Sequence, residues 1–222
     1  MAPGAPRRID VAPDRFAGWI ESFGERHGAT TAQSTTTEVT FAAADGAVAA
    51  CLAPFPPFEA DAETDPALIA GRLTEHATAS RTVGVLLVRL GGYAAGVFTG
   101  PEPVLVASKV GSRLVHGRSA AGGQSQQRFA RRRENQARQA LTAAADTAAA
   151  VFGPYQLDAL VLGGDKRAFA PIRTDARLRS CFDVAVDAFL TVPDPRSAVL
   201  KDTPRLFRAI KVTLTEPNRP AE

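Results

Sequence analysis

The chain has 222 residues, of which 45% are hydrophobic and 22% charged, with a formal net charge of +3 and a sequence pI of about 9.2. This length supports one large or two small domains, and the composition excludes disordered and fibrous classes. No apolar stretch has the length of a membrane span, and the N-terminus lacks the apolar region of a secretory signal. We therefore expect a cytoplasmic protein with no membrane partner.

The first third of the chain predicts a small α/β region. Residues 1–13 are punctuated by Pro and Gly and are expected to be mobile. Apolar periodicity and the turn signal Asp45-Gly46 then predict a helix, a β-hairpin and a second helix at 14–27, 37–53 and 66–79. Asp14 is the expected N-cap of the first helix. We expect residues 1–78 to form an N-terminal region that packs on the core.

The rest of the chain alternates strands and helices. The nearly continuous apolar run at 83–90 is typical of a central strand. We predict three strands at 83–90, 93–99 and 104–110, followed by a long helix at 125–152. After it we predict a strand at 157–164, a helix from Asp165 and a strand near 183–191. The last predicted element is a helix near 203–211, with a strand at 212–215 as the alternative for the end of this segment. Strand, helix, strand in this order implies parallel pairing. We expect an α/β domain over 79–215 and a tail at 216–222.

The cysteines and histidines do not predict a metal site. Cys51 and Cys181 are far apart in sequence, and we expect both to be reduced and buried. The three histidines lack the spacing of zinc ligands, and His76 falls on a helix face. We expect neither a metal nor a cofactor.

Basic residues are concentrated between positions 109 and 138, where Glu134 is the only acid. The cations are Lys109, Arg113, Arg118, Arg128, Arg131, Arg132, Arg133 and Arg138. A polyanion responds to local charge more than to the total, and arginine is well suited to phosphate. This run therefore predicts RNA binding, with a solvated helix face as the alternative.

Gly122-Gly123-Gln124 lies directly before the basic helix. Paired glycines let a backbone approach a ligand closely, and the glutamine amide both donates and accepts hydrogen bonds. The segment between Arg118 and Arg133 contains no His, Asp or Glu, the residues that most often act as general bases. A glycine turn before a surface helix is the structural alternative.

The extended run from Gly122-Gly123-Gln124-Ser125 to Arg128-Phe129-Ala130-Arg131 resembles the catalytic loop of archaeal and eukaryotic class-one peptide-release factors. It is most similar to the Vms-like release factors, in a bacterial form, and the resemblance covers roughly residues 80–190. It implies an RNase-H-like mixed sheet with flanking helices, and a long helix that follows a mobile catalytic loop. The implied partners are the large ribosomal subunit, rRNA and peptidyl-tRNA, and not DNA.

The resemblance also implies roles for single residues in hydrolysis of the ester between peptide and tRNA. Gly122 and Gly123 would let the backbone enter a narrow RNA cavity, and Gln124 would stabilise developing charge and position the water. Gln126 is a rival for the catalytic amide, because Gly123-Gln-Ser-Gln126 also fits a Gly-x-x-Gln form. The chain is shorter than full release factors with codon-reading domains, so we expect codon-independent rescue.

Two other functions fit parts of the sequence. A non-catalytic RNA-binding or ribosome-associated protein needs only the cations, because phosphate contacts carry most of such binding. A conventional hydrolase would use Cys51 or a serine, but the sequence has no Gly-x-Ser-x-Gly elbow.

Overall fold

A computed structural model of the chain describes residues 4–59, 64–89, 91–112 and 125–217, with the backbone alone at 125–133. The chain divides into two compact units, Met1–Ala79 with Arg205–Glu222, and Ser80–Pro204. Among the described helices, none is long and apolar enough to cross a membrane.

The elements follow each other in this order: β1 (Arg7–Val11), α1 (Pro13–His27), β2 (Thr30–Ser34), β3 (Glu38–Ala43), β4 (Val48–Leu52), α2 (Pro66–Thr78), β5 (Arg81–Arg89), β6 (Gly92–Gly100), β7 (Val104–Ser112), α3 (Ser125–Phe152), β8 (Ala159–Gly164), α4 (Phe169–Ile172), α5 (Arg179–Asp183), β9 (Ala185–Leu190), α6 (Ser197–Lys201), α7 (Thr203–Phe207) and β10 (Ile210–Thr215). Short 3₁₀ turns at Lys166–Ala168 and Ala176–Leu178 lie between β8 and α5.

The first unit is an antiparallel sheet with the strand order β1-β10-β4-β3-β2, accompanied by α1 and α2. Alternate residues of the central strands, such as Phe41 and Val212, are buried against Phe16, Phe23 and Leu73 of the two helices. The sequence predicted the β3–β4 hairpin and both helices. It missed β1 and β2, and the expectation of a mobile segment over 1–13 is wrong at Arg7–Val11, because β1 pairs with β10 along its whole length.

Helix α1 begins without a side-chain cap. Its N-cap is Ala12, and Pro13 occupies the first turn, where its missing N–H costs nothing. Asp14 is therefore inside the helix, and its predicted role as N-cap is wrong. Its carboxylate still lies in the first turn, where negative charge is favourable.

The second unit is a mixed sheet with the order β7-β6-β5-β8-β9. Strands β5, β6 and β7 form an antiparallel meander, and β8 and β9 are parallel to β5. The predicted mixed α/β sheet with flanking helices and a parallel strand–helix–strand unit is confirmed. The prediction of a mobile loop over 111–124 is wrong at Gly111 and Ser112, which are paired in β7, and residues 113–124 lie outside the described residues.

Helix α3 covers one face of this sheet. Its Ala144, Ala148 and Phe152 are buried in one cluster with Leu86 of β5 and Val97 of β6. They are spaced four residues apart, which places them on one face of the helix. The connection through α3 is what brings β8 beside β5, in parallel.

The C-terminal segment belongs to the first unit. We expected one domain over 79–215 and a last helix over 203–211, but α7 ends at Phe207, and residues 205–222 join the N-terminal unit. The reason is hydrogen bonding, because β10 pairs with β1 on one side and β4 on the other.

Candidate functional site

The predicted site residues fall into three groups. Gly122, Gly123, Gln124, Arg113 and Arg118 lie outside the described residues. Five others lie in the first part of α3, whose side chains are also outside the description, namely Gln126, Arg128, Arg131, Arg132 and Arg133. Lys109 in β7 and Arg138 in α3 are described completely.

The Gly-Gly-Gln segment connects two described stems. Strand β7 ends at Ser112 and α3 begins at Ser125, so Gln124 directly precedes the helix and Gln126 lies in its first turn. The first turn of α3 contains no acid. The N–H groups of a first helical turn lack partners within the helix and carry partial positive charge. This end of α3 is therefore electrostatically suited to an anion.

Lys109 and Arg138 have different surroundings. Lys109 is exposed and pairs in register with Ala95, so it lies on the sheet face that α3 covers. Because β7 is an edge strand, a lysine there also discourages pairing with another chain. Arg138 is exposed and pairs with Glu134 one turn earlier, at 3.3 Å between Nη2 and Oε1. Such surface pairs contribute little to stability.

Tyr93 braces the end of β7. It pairs in register with Gly111, and a Cβ at Gly111 would overlap the outer end of the Tyr93 ring. Only glycine lets the ring lie across the backbone at this point. Tyr93 also packs, half-buried, in the cluster that contains Leu141 of α3. The ring thus lies across the end of β7 and in the same apolar cluster as α3.

A cavity of about 220 Å³ lies beside this ring. Its walls come from the end of β5, the start of β6, the middle of α3 and the turn after β8. The polar groups that line it are Tyr93, Arg89, Asp165 and Arg167. Sequence reasoning missed this cavity, because its lining comes from three stretches of the chain that are far apart in sequence, the β5–β6 turn, α3 and the turn after β8.

The polar groups of the cavity are held by backbone contacts. The Asp165 N–H donates to the Val88 carbonyl at 2.7 Å, and Asp165 Oδ1 accepts from the Arg167 N–H at 3.0 Å. Arg89 donates through Nη1 to the Val192 carbonyl at 2.8 Å. Gly164, at a φ of 103°, makes the turn that brings Asp165 to this position.

An ion cluster anchors α3 to the turn before α5. The Arg177 guanidinium contacts Asp175 at 2.6 Å and Asp146 of α3 at 2.7 Å. Hydrogen bonds from the Arg177 side chain and N–H lower the pKa of Asp175 to about 2. The carboxylate of Asp175 therefore stays charged through the whole physiological range.

Neither cysteine has the surroundings of a catalytic nucleophile. Cys51 is fully buried, and this burial raises the pKa of its thiol far above the ordinary value. Cys181 is only half-buried, contrary to our expectation, and its burial also raises the pKa of the thiol. The thiolate is the reactive form, so neither residue is activated. No group of three potential metal ligands occurs among the described residues.

Both N-terminal histidines have structural contacts. His76 lies on a helix face as predicted, with Nε2 at 2.9 Å from the Pro54 carbonyl. His27 is buried, with Nδ1 at 2.9 Å from Asp45 Oδ2 and Nε2 at 3.3 Å from Glu216 Oε1. The second contact has ion-pair distance without hydrogen-bond alignment. These contacts tie α1 to the β3–β4 turn and to the end of β10.

Residues 81–213 match the Actinobacteria/chloroflexi VLRF1 release factor family. The chain belongs to this family. The match to the VLRF1 family covers β5 to β9, the whole of α3 and the Gly-Gly-Gln segment. The resemblance to bacterial Vms-like release factors is thereby confirmed. No curated protein matches the chain significantly.

Several solved structures are similar to this VLRF1-family chain at low identity. An archaeal translation termination factor, aRF1, is 12% identical, with a TM-score of 0.40 over 75% of this chain and 51% of that one. The Vms1 mitochondrial localization core is 11% identical, with a TM-score of 0.41 over 83% of this chain and 78% of that one. Pelota from Archaeoglobus fulgidus is 12% identical, with a TM-score of 0.30 over 93% and 67%. The chain spans about half the length of the archaeal termination factor.

Proposed function

We propose that this protein is a codon-independent peptidyl-tRNA hydrolase that releases nascent peptides from stalled ribosomal complexes. Membership of the VLRF1 release-factor family carries the proposal. It is supported by the position of Gly122-Gly123-Gln124, which directly precedes α3. The proposed partners are the large ribosomal subunit, its rRNA and peptidyl-tRNA.

The reaction is attack of water on the ester carbonyl carbon of peptidyl-tRNA. The bond from that carbon to the ribose oxygen breaks, one proton of the water passes to the leaving ribose oxygen, and the peptide leaves with a free carboxyl group. Orientation of water and ester by a large RNA can supply about 7–11 kcal/mol of the barrier. The protein then needs to supply only a polar group that fits beside the ester and the water.

Gln124 is the proposed catalytic residue. Its backbone N–H stabilises negative charge on the tetrahedral centre or the leaving oxygen, and removing one such donor typically costs about 3–4 kcal/mol. Its side-chain amide positions the water and excludes bulkier nucleophiles. Gly122 and Gly123 let this backbone enter the cavity, because they carry no Cβ. Gln126, in the first turn of α3, is the rival amide.

The basic start of α3 is the proposed grip on RNA. Arg131, Arg132 and Arg133 occupy successive positions of the helix, and such positions are about 100° apart. From this spacing we expect their charge to cover a broad front, as a curved phosphate backbone requires. Arg128 lies one turn earlier, and Lys109, Arg113, Arg118 and Arg138 extend the same basic segment.

The test is to add the purified chain to ribosome–nascent-chain complexes and to isolated large subunits that carry peptidyl-tRNA. Conversion of peptidyl-tRNA to free tRNA is followed with sense, stop and empty decoding sites. We expect release that does not depend on the codon, and the two substrates show which complex is preferred. Binding without release would instead identify a non-catalytic ribosome-associated protein.

A further inference from the structure

We propose that the cavity between Tyr93, α3 and the turn after β8 binds a single unstacked RNA nucleotide whose base carries an amino group. The base lies against the apolar wall and the phosphate at Arg167. This inference rests on the proposed function only in taking RNA as the partner. It assigns a base-binding site to described residues, apart from the Gly-Gly-Gln segment.

The cavity has the position of a ligand site in an α/β sheet. It opens where the parallel neighbours β5 and β8 end, and ligands of open α/β sheets bind at the carboxyl ends of strands. The chain turns there at Gly91-Gly92 and at Gly164. Gly91 and Gly92 line the cavity and present no side chain to it.

The volume of the cavity limits the ligand. Drug-sized ligands occupy pockets of about 300–1,000 Å³, whereas this cavity has about 220 Å³. It therefore accepts one aromatic ring and not a dinucleotide. A helical RNA segment is excluded by the same argument, so the base must be unstacked from its neighbours.

The walls are suited to a flat ring. Tyr93 forms one side, with its outer edge fixed across Gly111, and Ala137, Ala140 and Leu141 of α3 form another. Unstacked RNA bases are recognised by stacking on aromatic side chains. The two alanines keep the helix side shallow, so that a ring can enter beside Tyr93.

The polar groups at the rim divide into a cation and an acceptor. The Arg167 guanidinium is exposed and, within the described residues, forms no ion pair. It can therefore take a phosphate, and Arg89 also lines the cavity. Asp165 Oδ2 makes no hydrogen bond within the described chain, while Oδ1 is held by the Arg167 N–H.

The carboxylate determines which base fits. An ionised carboxylate only accepts hydrogen bonds, so it pairs with the amino group of cytosine, adenine or guanine. Uracil offers the carboxylate only its N3–H, which is flanked by two carbonyl oxygens that repel the negative charge, and is disfavoured. The site thus prefers an amino-bearing base with a phosphate attached.

Nucleotide binding can be measured on the full chain with CMP, AMP, GMP and UMP, with cytidine and inorganic phosphate as further ligands. Ligand-observed NMR titration gives each affinity. We expect an amino-bearing nucleotide to bind at least about fivefold more tightly than UMP, cytidine or phosphate. Ala140→Phe should abolish this binding by filling the cavity, and an unchanged melting temperature shows that this variant folds.

Two pairs of variants test the phosphate contact of Arg167 and the base contact of Tyr93 separately, each with a control residue of the same type. Arg167→Gln should weaken nucleotide binding about fivefold, whereas Arg179→Gln, an equal loss of charge outside the cavity, should not. Tyr93→Leu should weaken it, and Tyr155→Leu, the same change at the other tyrosine, should not.

Three results would overturn the assignment: no nucleotide binds, phosphate binds as tightly as CMP, or Ala140→Phe binds as the unaltered chain does. UMP binding equal to CMP would refute the role of Asp165. Peptide release, measured on the same samples, keeps this proposal separate from the proposed function. Release without nucleotide binding refutes the cavity alone, and nucleotide binding without release refutes the hydrolase alone.

Discussion

Replacing Gly111 by alanine is expected to destabilise the second unit, because the new methyl group would lie about 2.6 Å from Tyr93 Cε2. Overpacking of this kind typically costs about 1–3 kcal/mol. Alanine also lowers the conformational entropy of the unfolded chain, which stabilises the folded state by about 0.4–1 kcal/mol and offsets part of this cost. We therefore expect a net loss of about 1–2 kcal/mol in the free energy of unfolding.

A double-mutant cycle isolates the interaction between the two residues. In a Tyr93→Leu background the ring is gone, so Gly111→Ala should be neutral or stabilising by up to about 1 kcal/mol. The coupling free energy is then about 1–3 kcal/mol, within the range of residues in direct contact. Urea unfolding followed by far-UV circular dichroism is suitable, because α3 is the longest helix described and lies in the second unit.

Gly92→Ala is the matched control. It lies in the same strand pair, and a Cβ there would be 3.6 Å from Pro195 Cδ, an ordinary contact. If Gly92→Ala costs as much as Gly111→Ala, the overlap with the ring is not the cause. The same conclusion follows if Gly111→Ala costs equally in both backgrounds.

The remaining predictions concern charge. Replacing Arg128, Arg131 and Arg132 by glutamine should weaken ribosome binding. It should also reduce the slope of log affinity against log salt concentration by about 0.7–0.9 for each phosphate group that is no longer neutralised. The control Arg138→Gln should change the slope less, because Arg138 is already paired with Glu134. An unchanged slope with a lower melting temperature would show that these arginines are structural. The pKa of Asp175 is depressed to about 2, so its contribution to stability is present above the unfolded value near 4 and is lost as pH falls toward 2. The stability difference between the unaltered chain and Asp175→Asn should shrink over that window in urea unfolding, and a constant difference would refute the linkage.

Strong periodicity in the sequence predicted most of the fold. The four-residue spacing of Ala144, Ala148 and Phe152 and the apolar run of β5 each identify an element from local sequence, and both are buried in the core. Strand β1 carries no such signal, because its sequence Arg-Arg-Ile-Asp-Val has only two apolar residues. Its pairing partner, β10, lies at the other end of the chain, so the unit boundary could not be found from local pattern either.

One part of the candidate site could likewise be predicted from the sequence, and another part could not. The Gly-Gly-Gln segment and the basic run are contiguous in sequence, so they could be recognised by reading along the chain. The cavity brings the β5–β6 turn with Arg89 and Tyr93 together with Leu141 and Asp165, which lie about 50 and 70 residues further along the chain and form no motif with it. The packing of Tyr93 on Gly111 depends on strand register, which a single sequence does not specify.

Single-turnover peptide release by Gln124→Ala, beside Gln126→Ala, tests the central claim most directly. Both variants are used at concentrations that saturate ribosomal complexes, so that affinity does not enter the rate. We predict that Gln124→Ala slows release at least about a hundredfold with binding unchanged, because the variant keeps the backbone N–H but loses the amide that positions the water, and that Gln126→Ala remains active. The opposite pattern would move the catalytic amide to Gln126 and keep the reaction. Release at the unaltered rate by both variants would contradict the hydrolase account.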